Sequence, residues 1–398
     1  MIIKPKVRGF VCITSHPDGC AAHIQEQINY VCAQKPLKNS PKRILILGAS
    51  TGYGLSSRIV TAIGGGADTF GVFYERPGEE NKAASPGWYN SVAFEQAASA
   101  RGLKSYSMNG DAFSLDFKHK VIDALKDKFG TVDCVIYSLA APRKTDSLSG
   151  EVYRSVLKPI GQKFRSKTLN TDKGEVLDVE LEPASEDEIY QTIKVMGGED
   201  WEEWIHLLCE HHVLAPQATT IAYSYIGPKT TWPIYKEGTI GKAKAHLTQT
   251  AEKINTYLHE QVQGRALVSV NKAVVTQASS AIPVVPLYLS ILFKVMKAKG
   301  THEDCIQQMY RLFAGLFDNA KLTRESETCV RLDDLELDAD TQAQVQKIWE
   351  QINSQNLRKL SDFDGYKANF LKLFGFENPQ IDYEKEVNPQ RMFSHLIE

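Results

Sequence analysis

Apolar residues fall in short blocks along this chain, and the blocks alternate between two spacings. Residues 43–47 (RILIL) are a β-branched and leucine run of the kind that makes a strand buried on both faces. Helical spacing follows over 55–63. The same alternation predicts strands at 67–74, 103–108 and 132–138, with helices at 91–101 and 118–129 between them. Further on, 218–225 and 266–270 read as a fifth and a sixth strand around a helix over 240–258. Strands alternating with helices predict an α/β fold, a Rossmann-like doubly wound parallel sheet with right-handed crossovers.

The first strand breaks at once into Gly48-Ala49-Ser50-Thr51-Gly52-Tyr53-Gly54. Strand, glycine-rich turn, then helix is how a dinucleotide pyrophosphate is held. Glycines let backbone approach the phosphates, and free N–H groups at the helix start favour negative charge. The spacing is G-x3-G-x-G, a wider turn that resembles short-chain dehydrogenase/reductase-like proteins. A glycine loop with no ligand is the alternative. Glu75 ends the second strand, where an acid accepts hydrogen bonds from ribose hydroxyls and repels a 2′-phosphate, favouring NADH over NADPH. Arg76 beside it suits a phosphate instead, and a solvated Glu–Arg pair is the plain alternative. Asp111, after the third strand, is placed to meet the adenine edge, to cap the next helix, or both. Leu139 and Ala140 leave the fourth strand with Ala141 and Pro142, a stretch suited to close approach by ribose and nicotinamide.

At 398 residues the chain exceeds what one such domain needs, so roughly 150 residues decorate it. The expected organisation is one enlarged body. It holds a dinucleotide-binding half (41–142), an insertion (143–216), a catalytic and substrate-binding part (217–300) and a helical cover (301–398). A net charge of −2 argues against nucleic-acid binding. Seven cysteines without a C-x-x-C pair read as reduced thiols of a cytoplasmic protein, with no metal site. Residues 1–20 lack a long apolar run, so no leader is expected, and 281–293 is too short and proline-broken to span a bilayer. That greasy run is expected as core or as the apolar wall of a substrate tunnel.

Smaller features complete the reading. Residues 11–14 suggest an edge strand and 21–31 a helix, with His16 and His23 in capping or surface roles. The insertion carries Arg143, Lys144, Arg154, Lys158, Lys163, Arg165 and Lys167, suited either to phosphates and an acidic carrier or to plain solvation. Asp200 with Glu203 reads as an N-cap and capping box, ahead of Trp201, Trp204 and Leu208 on one buried face. Residues 331–337 suggest a short strand pair, and the last hundred residues suggest no chemistry.

The reactive residues are expected after the fifth strand, where Tyr235 precedes Lys242 and Lys244. A phenol, ordinarily near pKa 10, gives a proton or hydrogen bond to an oxygen as hydride arrives, and a nearby ammonium favours the phenolate left behind. On a continuous helix, residues nine apart lie on opposite faces, so Tyr235 and Lys244 meet only if Tyr235 sits in the loop before it. Gly238 and Thr239, a plausible N-cap, make that reasonable. Lys242 has a same-face spacing and stays an alternative.

Taken together, GASTGYG, PGWYN, GDAF, YSLA, MGGEDW, AYSYIG, the Tyr235-x8-Lys244 pair and VNKAVVTQASSAIP resemble the trans-2-enoyl-CoA/enoyl-[acyl-carrier-protein] reductase family, over essentially the whole chain. The resemblance implies NADH-dependent reduction of the 2,3-double bond of an acyl thioester carried by acyl carrier protein or coenzyme A. It makes Tyr235 the proton donor, Lys244 a cofactor-binding lysine and Tyr225 a substrate contact. It assigns NADH to Gly48, Ala49, Ser50, Thr51, Gly52 and Tyr53, to Tyr74 with Glu75, to Asp111 with Ala112, and to Leu139 with Ala140. Val274, Val275 and Thr276 complete that set. A monomer without membrane insertion is expected. The rivals are a carbonyl (3-oxoacyl) reductase, which typically spaces the pair by three residues and adds a serine, and a non-catalytic NAD(H) sensor.

Overall fold

The computed structural model describes residues 1–147 and 149–398. Its centre is a nine-stranded sheet: β1 (Arg43–Leu47), β2 (Asp68–Phe73), β3 (Ser105–Asn109), β4 (Val132–Tyr137), β5 (Leu214–Ser224), β6 (Arg265–Val270), β7 (Thr323–Ser326), β8 (Cys329–Arg331) and β9 (Leu396–Ile397). The order across the sheet is β7-β8-β6-β5-β4-β1-β2-β3-β9, and every neighbouring pair is parallel except β7 with β8. From β1 the chain winds outward to β3, then returns to β4 on the other side of β1. That reversal opens a crevice at the carboxyl ends of β1 and β4, the place where ligands bind in such sheets.

The RILIL run explains why β1 is central. Ile44 and Ile46 enter one apolar cluster with Ile59 and Phe313, whereas Leu45 and Leu47 enter the opposite one with Leu125, Trp201 and Leu247. Both faces are therefore covered, and each fully buried aliphatic side chain contributes roughly 1.5–3 kcal/mol. The helices that cover them include α1 (Gly52–Ile59), α2 (Pro86–Ser99), α3 (Leu115–Phe129), α4 (Glu199–Glu210) and α5 (Thr239–Val262). A third cluster is built around α6 (Val285–Lys299), with Trp349, Phe363, Tyr366 and Phe370 from the C-terminal region packed on it.

Several expectations are corrected. The helix after the glycine turn starts at Gly52 and loosens into a π-turn over Val60–Gly64. The helix expected at 91–101 starts earlier, so PGWYN is the opening of α2, because Pro86 suits the first position of a helix. The strand expected at 11–14 is only Val11–Cys12, paired with Val7–Arg8 in a hairpin apart from the main sheet. Asp111 does not cap α3; Ser114 does, accepting from Phe117 N–H. Thr239 is not the N-cap of α5 either. Gly238 holds that place, and the Thr239 hydroxyl donates to the Val156 carbonyl at 2.5 Å.

Asp200 likewise caps nothing, since Gly198 precedes α4. It is buried and takes Lys118 Nζ at 2.6 Å and the Tyr137 hydroxyl at 3.0 Å, while Glu203 also contacts Lys118. A fully buried ammonium persists only with such partners. The strand pair expected at 331–337 is instead β7 with β8, and β8 joins β6. Most of the basic insertion is matched. Lys158 pairs with Glu188, Lys163 with Glu180 and Glu182, and Arg165 with Glu180, while Lys167 Nζ donates to the carbonyls of Trp349, Glu350 and Ile352. Within the insertion, Glu175–Leu181 forms a hairpin with Phe164–Asn170. His16 caps a helix as expected, its Nδ1 accepting from Gly19 N–H.

Candidate active site

The glycine turn sits at the β1/β4 crevice and its geometry is cramped. Gly48 has φ +87°, and a Cβ there would lie 2.4 Å from the Ser138 carbonyl oxygen at the end of β4. Gly52 also has a positive φ, +55°, and opens α1. Thr51, at the N-cap, makes no side-chain capping bond. The N–H groups of that first turn are thus left for an anion, and the cradle fits a dinucleotide pyrophosphate.

The second strand delivers Tyr74 and Glu75 to the same edge. Tyr74 is 81% exposed. Glu75 turns inward, its Oε1 accepting from Ser50 at 2.7 Å, and burial raises its pKa above the ordinary carboxylate value. Ser50 belongs to the glycine turn, so the inward-facing acid and that turn are held together. Gly87, at the start of α2, makes room: a Cβ there would lie 2.0 Å from Glu75 Oε1. Arg76 does not extend to its neighbour but reaches the Ala83 carbonyl. Asp111 accepts from Phe113 N–H at 3.0 Å, and Ala112 lies under Trp204, whose indole donates to its carbonyl. Leu139 is partly buried and Ala140 exposed at the end of β4.

Thr51 and Gly52 share a cavity of about 260 Å³ with Val274, Val275 and Thr276 from the loop after β6. The phosphate turn and that loop are also pinned together directly, because the Tyr53 hydroxyl donates to the Lys272 carbonyl at 2.6 Å. His23, read as surface or capping, lies on the wall of this cavity beside Glu26. Tyr225, Tyr235 and Lys244 are not in its lining.

Tyr225 and Tyr235 meet beyond β5, and Lys244 reaches the end of that strand at the Tyr223 carbonyl. Tyr235 lies in a turn before α5, with its N–H bonded to Thr231 O, and the helix starts at Thr239, so the loop placement needed for convergence with Lys244 is met. Gly241 permits the turn to fold back on the helix, since a Cβ there would lie 1.9 Å from the Lys236 carbonyl oxygen and 2.5 Å from that of Tyr235. The Tyr235 and Tyr225 rings meet edge to face, centroids 4.8 Å apart. Tyr235 is only 8% exposed, burial raises its pKa, and among the described residues nothing hydrogen-bonds its hydroxyl. Lys244 points inward and donates to the Tyr223 carbonyl at 3.0 Å, and burial lowers it from 10.5 to about 8. Lys242, the alternative, is exposed. Beyond β5 the chain thus holds one uncommitted phenol and one partly desolvated ammonium, the two group types that a hydride-accepting oxygen calls for.

Sequence reasoning missed Glu336, in the tail where no chemistry was expected. Its Oε1 accepts from the Tyr225 hydroxyl at 2.9 Å. A lone Glu in LDDLELD gives no signal of such a contact. Gly241 was available as a signal, a glycine inside a helical pattern marking a close backbone approach.

The family model described as trans-2-enoyl-CoA reductase catalytic region matches residues 82–317, and that described as the NAD(P)H binding domain of trans-2-enoyl-CoA reductase matches 2–80. A third, described as an enoyl reductase FAD binding domain, matches 325–387. No glycine-rich strand–turn–helix cradle occurs there among the described residues, and Phe363, Tyr366 and Phe370 are buried in the α6 cluster, so these residues do not fit a flavin. Similar curated proteins include an enoyl-[acyl-carrier-protein] reductase [NADH] of Opitutus terrae, 56% identical across 98% of this chain and 99% of its own. The enzyme of that name from Yersinia enterocolitica is 52% identical across all of both chains. Among solved structures, the trans-2-enoyl-CoA reductase of Clostridium acetobutylicum in complex with NADH has a TM-score of 0.95 at 44% identity, covering 98% of each chain. That of Treponema denticola in complex with NAD reaches 0.92 at 45% over the whole of both. With whole-length relatives above half identity and a matching catalytic-region model, the chain belongs to the trans-2-enoyl-CoA/enoyl-[acyl-carrier-protein] reductase family.

Proposed function

We propose that this protein reduces the trans-2 double bond of enoyl thioesters with NADH, giving saturated acyl thioesters in fatty acid elongation. The observation that carries the reading is the free hydroxyl of Tyr235, edge to face with Tyr225 and followed by the half-buried Lys244, in a sheet whose crevice carries the glycine turn. Bound NADH supplies hydride to Cβ of the substrate. Electron density then collects on the thioester oxygen, and Tyr235 donates a hydrogen bond to it and supplies the proton that ends at Cα. Lys244 keeps the phenol acidic enough and meets the cofactor ribose. Gly48, Ala49, Ser50, Thr51, Gly52 and Tyr53 hold the pyrophosphate, and Tyr74 with Glu75 takes the adenosine end with Asp111 and Ala112. Leu139, Ala140, Val274, Val275 and Thr276 line the nicotinamide end, and Tyr225 faces the substrate.

The remaining assignments are a cytoplasmic monomer that takes its substrate from acyl carrier protein or coenzyme A, built as one body with the four segments expected from the sequence. All seven cysteines are free, in keeping with a reducing compartment, and no helix among the described residues is long and apolar enough to cross a membrane. The test is oxidation of NADH and of NADPH followed by absorbance with crotonyl and acetoacetyl thioesters. Thioester-dependent oxidation of NADH with crotonyl substrate is expected. Preference for the acetoacetyl thioester would make the protein a carbonyl reductase, and cofactor binding without oxidation would make it a sensor.

A further inference from the structure

Glu336 sits in the stretch between β8 and the helix Ala339–Gln351, fully enclosed, and collects donors from three separate elements. Its Oε1 accepts from the Tyr225 hydroxyl at 2.9 Å and from the Tyr288 hydroxyl, on α6, at 2.6 Å. Its Oε2 accepts from Ala273 N–H at 2.7 Å, in the loop that continues into Val274 and Thr276. The Glu336 carbonyl is fixed in turn by Gln342 Nε2 at 2.6 Å, and the same amide reaches Tyr288. Lys272 is the neighbouring cation, its Nζ donating to the Ala273 carbonyl at 2.7 Å. Burial raises the pKa of Glu336, and Lys272 and its three donors work against that rise. A carboxylate so placed is stable only while those partners stay.

We propose that Glu336 is a positioning residue for the reduction: it locks the Tyr225 ring against Tyr235 and ties it to the loop bearing Val274–Thr276, so that the substrate-facing and cofactor-facing walls keep a fixed separation. The inference rests on the functional reading above. A tyrosine has one hydroxyl proton. With that of Tyr225 given to Glu336, Tyr235 is the phenol left with its proton uncommitted. The tail thereby divides the work between two otherwise similar tyrosines, one as wall and one as donor.

Glu336→Gln tests this with little change of volume. An amide has one accepting oxygen and one NH2 group, so it cannot accept from both phenols on one side and from Ala273 N–H on the other. Either its NH2 opposes Ala273 N–H, or its NH2 faces the phenols, which must then accept and turn their own protons elsewhere, releasing that of Tyr225. In the full-length enzyme with NADH and crotonyl-CoA, the expected result is a fall of about tenfold in kcat with KM for crotonyl-CoA within about threefold, the mark of misplacement rather than lost binding. Tyr225→Phe/Glu336→Gln should be no slower than Tyr225→Phe alone, because residues acting through one contact are not additive. A purely stabilising carboxylate would lower the melting temperature and leave kcat per folded enzyme unchanged. Parental kcat in Glu336→Gln, or losses that multiply with Tyr225→Phe, overturns the inference while leaving Tyr235 untouched. A parental rate in Tyr225→Phe itself would remove the role given to that residue and the inference with it. If Glu336→Gln does not fold, Tyr288→Phe removes one donor from the same oxygen, and the same non-additivity with Tyr225→Phe is required.

Discussion

A desolvated lysine costs a fold stability, and here the cost can be measured. Lys244→Met removes the half-buried ammonium and keeps a long unbranched side chain. Burial lowers that ammonium from its ordinary 10.5 to about 8. A difference of about 2.5 pH units at roughly 1.36 kcal/mol each means the unliganded fold disfavours the charged form by about 3 kcal/mol. Methionine also gives up the hydrogen bond to the Tyr223 carbonyl, worth about 1 kcal/mol, which leaves a net gain of about 2 kcal/mol at pH 7. Between about pH 8 and 10.5 the unfolded chain keeps a proton that the folded chain has released, so parental stability rises with pH across that window and is penalised below it. Thermal unfolding without NADH at pH 7 and pH 10 should therefore show the methionine variant melting higher at pH 7, with the gap closing toward pH 10. Its turnover should be lost at both. A variant that melts below the parent at pH 7, or a gap that does not change with pH, refutes the reasoning.

Three further outcomes follow from the geometry. Gly48→Ala meets both a positive φ and a carbonyl oxygen 2.4 Å from its new methyl, so it should lose more than about 2 kcal/mol and weaken NADH at least about tenfold by fluorescence titration; unchanged affinity would remove the turn from the binding site. Glu75→Gln keeps the partner of Ser50 but drops the charge that faces a 2′-phosphate, a repulsion of roughly 2–3 kcal/mol. Its kcat/KM with NADPH should rise by at least about tenfold while NADH changes little, and no gain with NADPH would count against the ribose assignment. Gly241→Ala drives a methyl into the carbonyls of Lys236 and Tyr235, so kcat should fall by about a hundredfold with NADH affinity intact. Parental kcat would mean that the turn holding Tyr235 has slack.

The parallel sheet and its glycine turn were legible because they rest on local signals. The RILIL run can only be covered on both faces, and Gly48 can only be glycine at φ +87°. The loop placement of Tyr235 was legible from helical periodicity, since nine residues on a helix point apart. What stayed hidden depends on distant partners. Asp200 looked like a cap, because an Asp directly before a Trp-rich stretch carries that local meaning, but Lys118 from 82 positions away claims it. Glu336 meets Tyr225 across 111 positions, and no spacing rule spans that distance. The last strand, Leu396–Ile397, is two residues long and gains its place only because β3 offers it an edge. Periodicity reports which face is buried, not which buried polar groups meet.

The central claim is that Tyr235 delivers the proton. It is reached most directly by the turnover of Tyr235→Phe at saturating NADH and crotonyl thioester, with NADH affinity measured on the same preparation. The predicted result is a loss of at least about a hundredfold in kcat, with dinucleotide binding unaltered. A phenylalanine enzyme that turns over at the parental rate contradicts it.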